Sequence, residues 1–200
     1  MAFTVSDFKS NLATGGGGAR PALYKVSINA SVSGSISFLA ADDILVKAAS
    51  IPPSNIAPLT VNYAGRAYKW SGFRTFDPWT TTVINDENFS ARNRIMQWMR
   101  IISGKLDGER TTTFGDPTTA SGATAAYKEG NATVTQVGTD GADKQIYKFY
   151  NLWPTELAEI PLDWASDAIQ EYTVTWAYDY WSHGTATNET DVVAVPAAAA

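Results

Sequence analysis

Hydrophobic and polar positions alternate with a period of two along much of this chain. In "IQEYTVTWAYDYW" (169–181), Tyr172, Val174, Trp176, Tyr178 and Tyr180 fall on one side. Glu171, Thr173, Thr175, Ala177 and Asp179 fall on the other, because successive strand side chains point to opposite faces. The aromatic side predicts a core face. The other side is small, hydroxylated and acidic, which suits water or a polar cavity. "LYKVSI" alternates in the same way through Tyr24, Val26 and Ile28, and "SISFLA" and "DILVKAAS" predict further strands. "SIPPSNIAPL" interrupts them, since Pro52 and Pro53 donate no ladder hydrogen bond, and predicts an exposed connection. "TVNYAGRAYKWSG" predicts a hairpin turning at Ala64–Gly65, and "FDPWTTTVIND" a strand with Trp79, Thr81 and Val83 on one face.

The period then changes to 3.6. Ala91, Ile95, Trp98, Met99 and Ile102 form one stripe, with Arg92, Arg94 and Arg100 mostly off it. Asp86, Glu87 and Asn88 supply cap chemistry at the start of this helix, and Gly104 ends it. Residues 105–128 read as a long surface insertion rich in Gly, Thr and Ala. "NATVTQVG" and "KQIYKFYN" predict two more strands around "TDGAD". "LWPTELAEIPLDWAS" predicts a loop anchored by Leu152, Trp153 and Trp164. Residues 1–20 read as a polar arm with a flexible tether at Gly15–Gly18, residues 21–181 as the domain, and 182–200 as a tail. Many strands and one helix predict a mainly β protein, a sandwich or barrel with a flanking helix. Its expected core includes Trp79, Ile95, Trp98, Met99, Tyr172 and Trp176.

Two hundred residues suffice for one domain with a sizeable core. The chain has no cysteine, which excludes disulfides, thiol nucleophiles and Cys-based metal sites. No signal peptide or run of about twenty apolar residues is present, so folding in a cytoplasm is expected. The formal net charge is −5 with scattered Lys and Arg. That argues against a basic stripe of the kind that grips nucleic acid.

Catalytic chemistry is sparse. The single histidine, His183, reads as an exposed bystander, and no Gly-x-Ser-x-Gly elbow accompanies it. Glu156, Glu159, Asp163 and Asp167 lie near Trp153 and Trp164 and leave open a glycosidase built on paired carboxylates. Acids in an exposed loop are the simpler reading. A carbohydrate-binding β-sandwich using Trp and Tyr as sugar platforms also stays open. No cofactor or metal is expected.

Several stretches are more specific. "ARPALYKVSI", "RTFDPWTTTVINDENFSARNRIMQW" and "LWPTELAEIPLDWASDAIQEYTVTWAYDYW" resemble, in order and spacing, the tail tube proteins of T4-like contractile-tailed bacteriophages. The matching blocks run from Ala19 to Trp181. The resemblance implies a structural, non-enzymatic role in a virion tail: hexameric rings stacked as a hollow tube within a contractile sheath. Its partners would be copies of itself, sheath, baseplate and tape-measure proteins. DNA would pass through without specific binding, and no membrane would be involved. Within that frame, Glu171, Thr173, Thr175 and Asp179 are expected to face the lumen. Ile51, Pro52, Pro53, Asn55 and Ile56, with the N-terminal arm, are expected to reach a neighbouring ring.

Overall fold

A computed structural model describes residues 4–14, 17–32, 36–38, 45–103, 128, 130–185 and 188–189. Gly15, Gly16, Gly104, nearly all of the 105–128 insertion and residues 190–200 lie outside the described residues. The elements in chain order are helix α1 (Val5–Thr14), strands β1 (Tyr24–Val32), β2 (Ile36–Phe38), β3 (Val46–Ala49), β4 (Asn55–Tyr63), β5 (Arg66–Thr75) and β6 (Trp79–Ile84), helix α2 (Ser90–Ser103), and strands β7 (Gly130–Val137), β8 (Asp143–Leu157), β9 (Glu171–Ala177), β10 (Tyr180–Thr185) and β11 (Asn188–Glu189).

The described chain is mainly β, and all its strand pairs are antiparallel. One sheet runs β2-β1-β7-β8-β9-β6-β3, with β10 also on β8 and β11 on β10. Strand β8 belongs to both halves of this sheet. Its first half pairs with β7 and β10 and its second half with β9. Asn151, with φ 58, marks the corner, a backbone conformation that Asn tolerates better than most residues. Folding at this corner lets the halves enclose a core, where Phe149 of the first half stacks on Trp79 of the second at 4.5 Å. The Tyr24 hydroxyl donates to the Lys47 carbonyl and draws β1 toward β3.

The period-two alternation of β6 and β9 becomes one shared buried face. Trp79 pairs with Trp176, Thr81 with Val174 and Val83 with Tyr172, and all six are buried. The indole N–H groups have partners: Trp176 Nε1 donates to Thr81 Oγ1 at 2.9 Å and Trp79 Nε1 to the Ser50 carbonyl at 2.8 Å. Helix α2 adds Ile95 and Trp98, both fully buried, while Met99 is half-buried against the same cluster. Trp98 reaches Trp176 at 5.9 Å between ring centroids. Asp86 caps the helix through the Ser90 N–H and hydroxyl, and the Ser90 hydrogen bond holds its carboxyl below the usual value.

The structure corrects four expectations. The N-terminal arm contains a helix, because Thr4 and Asp7 cap each other reciprocally and Val5, Phe8 and Leu12 recur at helical spacing. The segment expected to loop from Leu152 continues as strand to Leu157, and Trp164, expected to pin that loop, is fully exposed. The strand read through Trp181 stops at Ala177, so Asp179 lies in the turn before β10 rather than on the face of Glu171, Thr173 and Thr175. His183 is half-buried in β10, with Nδ1 3.4 Å from Gln145 Nε2.

Trp98→Ala should cost on the order of 3 to 5 kcal/mol, through lost burial and a cavity, and yield unassembled protein; wild-type thermal stability would contradict the packing. Gly130→Ala should destabilise independently. A Cβ there would lie 2.4 Å from the Leu152 carbonyl oxygen and 2.5 Å from the Trp98 ring.

Candidate assembly surfaces

Strands β4 and β5 form a two-stranded sheet separate from the main one. The hairpin turns at Ala64–Gly65 with φ 51 and 76, the positive pair that suits a tight hairpin turn. Cross-strand pairing sets Leu59 opposite Trp70, Val61 opposite Tyr68 and Tyr63 opposite Arg66. By alternation these share one face, and Pro58/Ser71, Thr60/Lys69 and Asn62/Ala67 share the other. Leu59, Val61, Tyr63, Tyr68 and Trp70 are all exposed, as are Ile56 and Phe73 nearer the base. Among the described residues nothing lies against this apolar sheet face.

The base of this hairpin is tied to the body. The Arg74 guanidinium lies over the Trp181 ring at 5.0 Å and the Phe76 ring at 5.5 Å, and donates to Ser54 Oγ at 2.9 Å. Asn55 Nδ2 donates to Asp77 Oδ2 at 2.6 Å, and Trp181 Nε1 to the Pro53 carbonyl at 3.3 Å. Of the residues expected to contact a neighbouring ring, Pro52 is buried beside this base, while Ile51, Pro53, Asn55 and Ile56 are exposed. The expected connection is shorter than anticipated, because Asn55 and Ile56 already belong to β4.

A second surface lies at the far end of β6 and β9. Residues 159–169 loop out there, held at one end by the Arg92 guanidinium on the Ala158 carbonyl at 3.1 Å and by Ala158 N–H on the Thr173 carbonyl at 2.9 Å. Asn85 holds the other end through the Gln170 carbonyl, at 2.9 Å. Arg92 also lies 5.0 Å over the Tyr172 ring, while burial pushes the Tyr172 phenol up to about 12. Leu162, Trp164 and Ile169 are exposed on this loop, together with Glu159, Asp163 and Asp167. Glu156 precedes them, also exposed. Among the described residues no group of three or more His, Cys, Asp or Glu could hold a metal ion.

The third surface is the polar face of β9. Glu171, Thr173 and Thr175 are half-buried on it, and register places Thr82 beside Thr173 and Thr80 beside Thr175. Lys47 pairs with Glu171 at 2.5 Å. Asp179 instead pairs with Lys128 at 2.9 Å and accepts from Asn151 Nδ2 at 2.8 Å.

The family described as phage tail tube protein matches residues 19–184. The chain belongs to that family. Tail tube protein gp19 of Enterobacteria phage T4 is 35% identical over 167 residues, covering 82% of this chain and 90% of that protein. The gp19 of phage T6 matches to the same extent. A chain of the anti-feeding prophage baseplate superposes with a TM-score of 0.57 at 12% identity, covering 84% of this chain and 95% of its own length. A chain of the sheath–tube complex of an extracellular contractile injection system superposes at 0.52 and 11%, covering 92% and 99%. The fold is thus shared with contractile systems, and the role of this tail tube protein is structural. The match leaves out residues 1–18, and with them α1.

Arg74→Ala should leave the sandwich nearly as stable, since an exposed cation–ring contact is worth about 0.5 to 1 kcal/mol, yet loosen the hairpin. Limited chymotrypsin digestion should then cleave at Tyr63, Tyr68 or Trp70 faster than in the wild type. Equal cleavage rates would contradict the tie at the base.

Proposed function

We propose that this chain is the subunit of a hollow tail tube, built from six-membered rings stacked inside a contractile sheath, through which DNA passes when the sheath contracts. The observation that carries this reading is the β4–β5 hairpin, whose apolar face is exposed among the described residues. A two-stranded sheet is at best marginally stable by itself in water, and an exposed apolar patch of this kind marks an interaction site. Repeated copies supply the missing cover. Ring closure has its own support: residues 24–29 of β1 pair with β7 on one side, and β3 ends the sheet on the other. Closing a ring removes such edges.

The same reading assigns partners and place. Sheath and baseplate are partners, a proposal supported by the baseplate and sheath–tube assemblies in which similarly folded chains occur. A tape-measure protein occupies the lumen before ejection. The site of action is the virion tail, after assembly in the host cytoplasm, and no catalysis is involved. Among the described residues no helix is long and apolar enough to cross a membrane.

For the lumen we propose Glu171, Thr173 and Thr175, joined by Thr80 and Thr82, which register places on the same face. Every Lys or Arg that reached phosphate would add salt-dependent attraction along the whole tube; on this hydroxylated face the adjacent cation, Lys47, is already paired with Glu171. Asp179 has left this face and drops from the assignment.

Electron microscopy of purified protein tests the reading: hollow tubes or rings are expected, and discrete monomers that bind glycans would favour a carbohydrate-binding module. Shortening the β4–β5 hairpin or removing residues 1–18 should leave rings but impair tubes, and unchanged tube length after both would refute the stacking role. Thr175→Lys in assembled tubes should raise retention of short duplex DNA at low salt several-fold. If retention matches wild type, this face does not line the channel.

A further inference from the structure

The hairpin and the 159–169 loop are complementary, and they spring from opposite ends of the β6–β9 strand pair. Register sets Trp79 against Trp176 at one end of the β6–β9 pair and Ile84 against Glu171 at the other. The hairpin springs from the first end, through Phe76–Pro78. The loop is pinned at the second, where Asn85 binds Gln170. The intervening strand spans about 17 Å. Between Ser54 and Thr75 the chain carries Arg66, Lys69 and Arg74 and no acid. Between Glu156 and Asp167 it carries four acids and no base. Each surface also exposes tryptophan, Trp70 on the hairpin and Trp164 on the loop, the latter as open to water as an isolated residue.

We infer that the hairpin of one copy docks on the 159–169 loop of another, with the aromatic hairpin face covering Leu162 and Trp164 and Arg66, which register places on that same face, meeting Asp163 and Asp167. This deepens the stacking reading above and rests on it, by naming the receiving surface. A contact joining opposite ends of the same sheet is head-to-tail, the kind that propagates as an open stack. Aromatic anchors give such an interface its affinity, and opposite charge gives it register and speed of association.

The absence of cysteine from the chain makes a direct test possible. Ala67→Cys and Ala165→Cys, which leave Trp70 and Trp164 in place, are prepared as separate proteins, mixed at equal concentration and treated with a short bis-maleimide; Lys25→Cys replaces the hairpin variant as control. The expected product is a covalent pair between the 67 and 165 variants, at least tenfold above the pair formed with the control. A yield no greater than the control overturns the inference. In parallel, Asp163→Lys/Asp167→Lys and Arg66→Glu should each reduce assembled tubes at least tenfold at unchanged melting temperature. Combining them should recover most of the loss. Full assembly by the loop variant, or no recovery in the combination, also overturns it. The two readings fail separately: wild-type tubes without the 67–165 product place the hairpin elsewhere, whereas a wild type that forms neither rings nor tubes refutes the tail tube assembly itself.

Discussion

A sheet of two strands with one aromatic face cannot bury that face by itself. The main body of this chain satisfies its own apolar surface: β6, β9 and the first half of β8 turn Trp79, Trp176 and Phe149 inward, and Trp98 closes the remaining side. The hairpin satisfies nothing of the kind. Its backbone hydrogen bonds are internal and its base is tied to Trp181 and Asp77, but Leu59, Val61, Tyr63, Tyr68 and Trp70 remain in water. In the proposed assembly, the energy missing from the folded chain is supplied at the interface between copies.

The body gives the hairpin its direction. Trp79 begins β6 immediately beyond the hairpin, and its indole holds the Ser50 carbonyl just before it. Both strands of the hairpin therefore leave from residues fixed to the core. At the opposite end of the same strand pair, Arg92 joins helix α2 to the start of the acidic loop. One helix and one strand pair thus position both surfaces, so a core substitution such as Trp98→Ala is expected to act on the proposed assembly as well as on stability.

Elements with an uninterrupted period were legible in the sequence. The faces of β6 and β9, the stripe of α2 and the turn at Ala64–Gly65 follow from alternation, helical spacing and turn chemistry. Proline hid the rest of the strands. Pro58 and Pro154 each sit where the ladder register shifts, between Ile56 and Pro58 and between Pro154 and Glu156. A bulge tolerates the missing N–H, so β4 begins earlier and β8 ends later than proline alone suggests. Alternation also misled once, because period two extended through Asp179 without any sign of the turn that begins at Tyr178. Helix α1 was missed because its three apolar residues lie among polar neighbours, and its cap pair, Thr4 and Asp7, was the available signal. Trp164 shows the limit of reading tryptophan as an anchor. Its exposure became visible only with the strands in place, and with it the likeness in chemistry between the loop and the hairpin.

Hydrogen exchange of the backbone amides of residues 55–75 tests the central claim most directly, by comparing assembled with dissociated protein. The account predicts rapid exchange in the dissociated chain, as for an isolated hairpin, and protection in assemblies at least tenfold greater, while amides of β6 and β9 stay protected in both. Hairpin amides that exchange equally fast in assembled protein would contradict it.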